Sequence, residues 1–401
     1  MAVKIDTADV PSTANVLTRA FDVAIAQPIE IYDNTLREGE QAPGVVLSAE
    51  RKLELAAALD AFGIHWANVG FPAASAEERE GVARIAKAGF RMKTAALTRM
   101  READIDVTAD TGVDLVSLFL GGSDVHLEHK LRMSEADAIR TIEKGVAQVR
   151  RRGALSSFTV EDASRTPLPR LLRLLRAAAE AGADYVVLAD TVGVLTPRSA
   201  YAIVSAARES VSCPVGVHFH DDLGLALANS LAALEAGAQL VHTTVNGPGE
   251  RSGNVCTLEL AVLLRVKYGR DLGLRLEQAH ALSRAVHVAC GTDAPPHKAV
   301  TGKWCFTHES GIHVAGVLSH PETYQPYPPA LVGRSHEIVF GKHSGAAGIR
   351  YLARREGIEL SDEACDAVLA LVKTTAEQSK QAVPDERVVE WIRSNASQRS
   401  S

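Results

Sequence analysis

Glu180-Ala-Gly-Ala-Asp-Tyr-Val-Val-Leu-Ala-Asp190 reads as the end of one element and the whole of the next. The residues leading into it, Leu168–Ala181, repeat Leu and Ala at helical spacing. Gly182 then supplies the left-handed turn that closes a helix without a Cβ clash. Tyr185-Val-Val-Leu-Ala189 is a short β-branched, apolar run, the composition of a strand buried on both faces. Asp190 and Thr191 follow at once, so the strand ends in chemistry-bearing side chains.

The same unit recurs outward along the chain. Strand-like segments stand at Ile29–Asp33, Trp66–Gly70, Met92–Leu97, Leu115–Leu120, Leu155–Val160, Tyr185–Ala189, Val215–Phe219 and Leu240–Val245. Amphipathic helical segments such as Ala49–Phe62 and Leu225–Ala236 lie between them, and Glu235-Ala-Gly-Ala238 repeats the glycine stop. Eight such units predict an α/β fold of (β/α)8 TIM-barrel type followed by a small, mainly helical C-terminal region. Neither a Gly-x-Gly-x-x-Gly opening nor a Walker loop suggests an open nucleotide-binding sheet. The expected organisation is an N-terminal arm at 1–27, a catalytic barrel at 28–285, a linker subdomain at 286–330 and a helical subdomain at 331–401.

Composition narrows the function classes. The 401 residues carry a net charge of −6, with 46% hydrophobic and 23% charged residues, so a sizeable core is expected and a nucleic-acid partner is not. The five cysteines, at 213, 256, 290, 305 and 365, have no Cys-x-x-Cys spacing and read as reduced thiols. No basic-then-apolar leader and no apolar run of membrane-spanning length is present, which predicts a cytoplasmic protein without a membrane partner.

A barrel does its chemistry where the strands end, and polar residues gather there. The first strand runs into Asp33-Asn-Thr-Leu-Arg-Glu-Gly-Glu-Gln41, the fifth into Glu161-Asp162, the seventh into His218-Phe-His220, and the eighth into Asn246-Gly-Pro-Gly-Glu-Arg-Ser-Gly-Asn254. Residues two apart on a strand share a face, so His218 and His220 can aim at one ion, with Glu38 or Asp33 adding a carboxylate. Such a set suits a divalent cation acting as a Lewis acid, with Zn, Mn, Co and Mg all admissible. Arg37 has the planar fork that binds a substrate carboxylate. Glu161 and Thr191 can bind substrate or serve as scaffold. His308 and His313 lie outside the barrel pattern, where a surface role is the simpler reading.

Together these segments resemble the acetyl-CoA-dependent alkylmalate synthases, comprising isopropylmalate, citramalate and homocitrate synthases. The resemblance spans roughly residues 28–350. It adds Asp190-Thr-Val-Gly193, His308-Glu-Ser-Gly-Ile-His313 and Gly341-Lys-His-Ser-Gly345 to the stretches already quoted. It implies a Claisen condensation of acetyl-CoA with a 2-oxo acid, then thioester hydrolysis. It further implies Glu38, His218 and His220 as metal ligands with Asn254 as a weaker fourth, and Arg37 at the developing alkoxide. Thr191 would hold the substrate carboxylate, and Glu161 and His313 would act as acid and base. By the same resemblance, His313 would be delivered by the second subunit of a homodimer and assisted by Tyr324. A metal-dependent aldolase or lyase is the alternative within the same barrel, and a non-catalytic carrier-protein partner the alternative outside enzymes. The His308–His313 segment speaks against the first, and joint retention of Arg37, Glu38, His218, His220 and His313 against the second.

The pocket positions, Leu97, Arg99, Ser157 and Thr159, fit no single subclass. Arg-Glu at 37–38 resembles homocitrate synthases, yet lysine-pathway members place Arg near 157 and His near 97. Either Arg99 supplies the missing cation or the substrate is not 2-oxoglutarate, because a dicarboxylate pocket without a cation leaves a desolvated anion. Ser123-Asp-Val-His-Leu-Glu-His-Lys-Leu131 resembles isopropylmalate and citramalate synthases. Phosphonomethylmalate synthases, which act on phosphonopyruvate, form a third class. Asp221 stands where the family carries Asn. The regulatory domain usual in leucine-pathway enzymes is not expected after Ser401.

Overall fold

The computed structural model describes residues 3–5 and 23–396, so most of the expected arm, residues 6–22, lies outside the described residues. Two compact units divide between Asp293 and Ala294.

The first unit is the barrel. Strands Glu30–Asp33, Trp66–Asn68, Lys93–Arg99, Leu115–Gly121, Leu155–Glu161, Tyr185–Asp190, Val215–Phe219 and Leu240–Thr243 form a closed sheet in sequence order. All pairs are parallel, and the first strand pairs with both the second and the eighth. Helix Leu168–Glu180 shows why the units form. It buries Leu171, Leu174 and Leu175 on one face, each stabilising by about 1.5–3 kcal/mol relative to exposure. Gly182 then turns the chain at φ 97°, and its neighbour Ala183 N donates to Ala178 O. One end of the barrel is plugged by Tyr32, Trp66, Ala95, Leu115 and Leu240 with Tyr185 against them. Trp66 and Tyr185 meet edge to face, and Tyr185 Oη donates to Glu30. Chemistry is left to the other end, where the strands finish.

The second unit contains a three-stranded sheet as well as helices. Val3–Ile5 pairs antiparallel with His336–Ile338, which pairs in parallel with Thr307–His308. Helices Gly311–Ser319, Ala346–Arg355, Asp362–Ser379 and Asp385–Ala396 enclose a core that includes Val314, Ile338, Phe340, Leu352, Val372 and Val388. Residues 294–330 cluster with those beyond 331, and helix Ala279–Cys290 runs through the expected boundary at 285. Strands of two or three residues carry no alternation to read, which is why this sheet leaves no trace in the sequence pattern. No helix among the described residues is long and apolar enough to cross a membrane.

Candidate active site

The loop after the first strand is wound tightly on Asn34. The N–H groups of Arg37, Glu38 and Gly39 all donate to Asn34 O at 3.0, 2.8 and 3.2 Å. Asn34 Oδ1 accepts from Arg37 Nη2 and Asn68 Nδ2, both at 3.1 Å. Lys52, 2% exposed, pins the far side of the loop by pairing with Glu40 at 2.6 Å and Glu78 at 2.7 Å. Replacing Lys52 with Met leaves two partly exposed carboxylates without their buried counter-ion. We expect a loss of about 2–3 kcal/mol in urea denaturation; an unchanged midpoint would show that the pair contributes nothing.

This loop turns Glu38 inward against the seventh strand. Glu38 Oε1 lies 3.9 Å from His220 Nε2, and the Nε2 atoms of His218 and His220 lie 3.3 Å apart. One ligand atom from each of the three residues falls within 4.8 Å of the others, and all three residues are buried. Asn254 Nδ2 is 3.2 Å from His218 Nε2, while its Oδ1 is buried without a hydrogen-bond partner, as is His220 Nδ1. Asn254 arrives on a loop only glycine can make. Gly253 has φ +79°, and a Cβ there would stand 1.9 Å from Gly247 O.

Protonation suits a cation. Burial raises the Glu38 carboxyl, but the ion-paired Arg37 guanidinium and the two imidazoles outweigh it and bring it down to about 2. Burial pushes His218 down to about 3 and lowers His220 as well. An ionised carboxylate beside two neutral imidazoles is the state in which these groups donate lone pairs to a metal. Asp33, the other carboxylate considered, is engaged elsewhere: it accepts from Thr35 N at 2.9 Å and Thr257 Oγ1 at 2.8 Å, and burial raises it to about 6.

A cavity of about 350 Å³ opens beside the triad. Of the residues expected to bind substrate or act in catalysis, Arg37, Leu97, Thr159, Glu161 and Thr191 line it. Thr191 Oγ1 accepts from Asp162 N at 2.8 Å, and both Glu161 oxygens accept from Lys130 Nζ at 2.6 and 2.7 Å. Ser157 is buried and bonded to Ser117 at 3.0 Å; of the two, Ser117 lines the cavity. Arg99 is absent from the lining, its Nε donating to Asp104 at 2.6 Å. Asp221 is an anchor for the next helix, accepting from Ala226 N at 2.8 Å, a task Asn would share. His313 and Tyr324 belong to the second unit, where both are exposed and their ring centroids lie 4.2 Å apart with the planes tilted by 36°.

Two residues to which the sequence reading assigned no role also line the cavity. His242, two residues after Leu240 on the eighth strand, faces inward by the same alternation that orients His218. Lys130 is presented by a single π-helical segment, His126–Leu131, which sequence periodicity does not reveal.

Comparison with known proteins agrees with this geometry. Residues 28–286 match the HMGL-like family model, and residues 300–380 match that of the homocitrate synthase post-HMGL domain. The chain is 42% identical to homocitrate synthase AksA of Methanopyrus kandleri over 93% of its length and 94% of that protein. This chain belongs to the alkylmalate synthase family. The synthase is also 42% identical to a probable 2-isopropylmalate synthase of the same organism, over 88% of this chain and 70% of that one. Over 68% of the chain its fold is similar to that of a Bacillus subtilis HMG-CoA lyase, with a TM-score of 0.61 at 20% identity and 97% of that protein covered. Membership makes the synthase an acetyl-CoA-dependent acyltransferase.

Proposed function

We propose that this synthase condenses acetyl-CoA with a short 2-oxo acid and hydrolyses the resulting thioester, releasing CoA and a 2-alkylmalate-type product. The observation that carries the reading is the convergence of an ionised Glu38 and neutral His218 and His220 on one wall of a cavity that Arg37 also lines. Glu38, His218 and His220, with Asn254 Oδ1 as a fourth donor, would hold a divalent cation such as Mn, Mg, Zn or Co. When bound, that cation supplies Lewis-acid polarisation of the substrate ketone. Arg37 meets the negative charge that develops on the ketone oxygen, and Thr191 holds the adjacent carboxylate. Glu161 and His313 move the protons, one leaving the acetyl methyl group and one reaching the alkoxide, with Tyr324 fixing the His313 ring.

The substrate reading follows from where the cations are. Arg99 is committed to Asp104, so the cavity lacks the extra cation a distal carboxylate needs. Arg37, Lys130 and Arg251 do line it, but they pair with Glu38, Glu161 and Asp222. Leu97, Phe119 and Ala189 add apolar wall. This supports a 2-oxo acid with a short apolar side chain, such as pyruvate or 2-oxoisovalerate, in spite of homocitrate-synthase-like motifs elsewhere. Phosphonopyruvate is the second reading: its phosphonate, carrying more charge than a single carboxylate, competes better with Glu161 for Lys130, whose side chain is 47% exposed.

Thiol release measured with pyruvate, 2-oxoisovalerate, oxaloacetate, 2-oxoglutarate and phosphonopyruvate tests both points. We expect 2-oxoglutarate to trail the best substrate by about a hundredfold in kcat/KM, the cost of one buried unpaired anion. CoA release with none of them, cation added, would sink the synthase reading.

A homodimer with shared active sites belongs to the same proposal, with His313 serving the partner's barrel. Mixing inactive His313→Ala subunits with inactive Glu38→Ala subunits should restore part of the activity. No recovery after verified subunit exchange would remove His313 from catalysis in trans.

A further inference from the structure

His242 is buried in the eighth strand, register partner of His218 on the seventh, and belongs to none of the roles above. Its Nδ1 lies 3.3 Å from Nδ1 of His218, and Tyr32 stacks on its ring at 4.1 Å with the planes 12° apart. Two facing imidazole nitrogens can hydrogen-bond only when one carries a proton and the other does not. His218 Nε2 converges with His220 Nε2 and the Glu38 carboxylate. If that nitrogen donates its lone pair to a cation, the His218 proton must sit on Nδ1. Nδ1–H then donates to His242, whose own proton is forced to Nε2. A merely structural side chain here would need no nitrogen. An apolar residue would pack against Tyr32 equally well, whereas His242 Nε2 is buried without a hydrogen-bond partner, at a cost of about 1–3 kcal/mol.

We propose that His242 is a positioning residue: it accepts the Nδ1–H of His218, fixing that ligand's tautomer and ring orientation so that its Nε2 lone pair is aimed at the cation. The inference rests on the metal reading of Glu38, His218 and His220. It makes the metal affinity of this barrel depend on a residue that never touches the metal.

Cobalt(II) binding separates the possibilities. His242→Asn places an amide oxygen near the position of Nδ1 and can accept from His218, whereas His242→Leu fills a similar volume and accepts nothing. By chelator competition, His242→Leu should bind cobalt about 10–100-fold more weakly than wild type, with shifted cobalt absorption bands, and His242→Asn should recover most of the affinity. Wild-type affinity in His242→Leu, or equal loss in both variants, overturns the proposal. Should His242→Leu fail to fold, wild type labelled with 15N-histidine and loaded with zinc decides. A proton on His218 Nδ1 and on His242 Nε2 supports the assignment, and any other arrangement overturns it. Wild type that binds no cobalt or zinc defeats the metal reading and this inference with it; binding indifferent to His242 defeats this inference alone.

Discussion

Replacing His218 or His220 with alanine is expected to abolish tight divalent-cation binding and to lower kcat/KM by about a thousandfold, since Lewis-acid stabilisation contributes several kcal/mol and about 4 kcal/mol corresponds to that factor. The expectation rests on how few donors converge. Among the described residues, Glu38, His218 and His220 form the group of carboxylates, imidazoles and thiols whose ligand atoms come together, and each is nearly inaccessible to water. Removing one imidazole leaves the ionised Glu38, a single ring and the weakly donating Asn254 amide, too weak a set to hold a labile cation against a chelator. Metal content by elemental analysis and CoA release should therefore fall together. A His218→Ala protein with wild-type metal content would remove His218 from the site, whatever happened to its rate.

The second large effect is expected at Arg37. Its guanidinium is mostly buried, pairs with Glu38, bonds Asn34 Oδ1, and keeps Nε buried without a partner beside the cavity. An Arg37→Ala enzyme should lose about 10²–10³ in kcat, the magnitude found on deleting one preorganised donor to a developing oxyanion, with a smaller change in KM for the 2-oxo acid. A pH signature accompanies the loss. Burial raises the Glu38 carboxyl and Arg37 is the largest of the influences that lower it, to about 2. Without Arg37 the folded-state value in the cation-free protein rises, so Glu38 protonates earlier on acidification and the acid limb of cation binding moves to higher pH. Wild-type kcat in Arg37→Ala would exclude a role at the alkoxide. An unmoved acid limb of cation binding would show that Arg37 does not hold Glu38 ionised.

The barrel was legible because its signals are local and repeated. Gly182 and Gly237, buried β-branched runs such as Tyr185–Ala189, and capped helices state each unit independently, and eight units leave few ways to close a sheet. The candidate ligands were legible for a related reason: His218 and His220 share a face by strand geometry alone. The fate of Arg99 was not. Nothing in its neighbourhood distinguishes an arginine at a substrate from one paired with Asp104 five residues on, because both satisfy the same charge. Ser157 was equally ambiguous, since a small hydroxyl can face a cavity or, as here, bond to a neighbouring strand's Ser117. The sheet of the second unit was hidden by the shortness of its strands.

The amino-acid order by itself determined the barrel and put His218 and His220 on one face at a strand end, since periodicity and strand-end placement are properties of neighbouring residues. Only the tertiary structure decided which cations reach the cavity, that Asp33 turns away to Thr35 and Thr257, and that His242 stands against His218. Those outcomes depend on distances between residues tens or hundreds of positions apart. Such distances are set by how the closed sheet brings its strands into register, and a linear pattern carries no record of them.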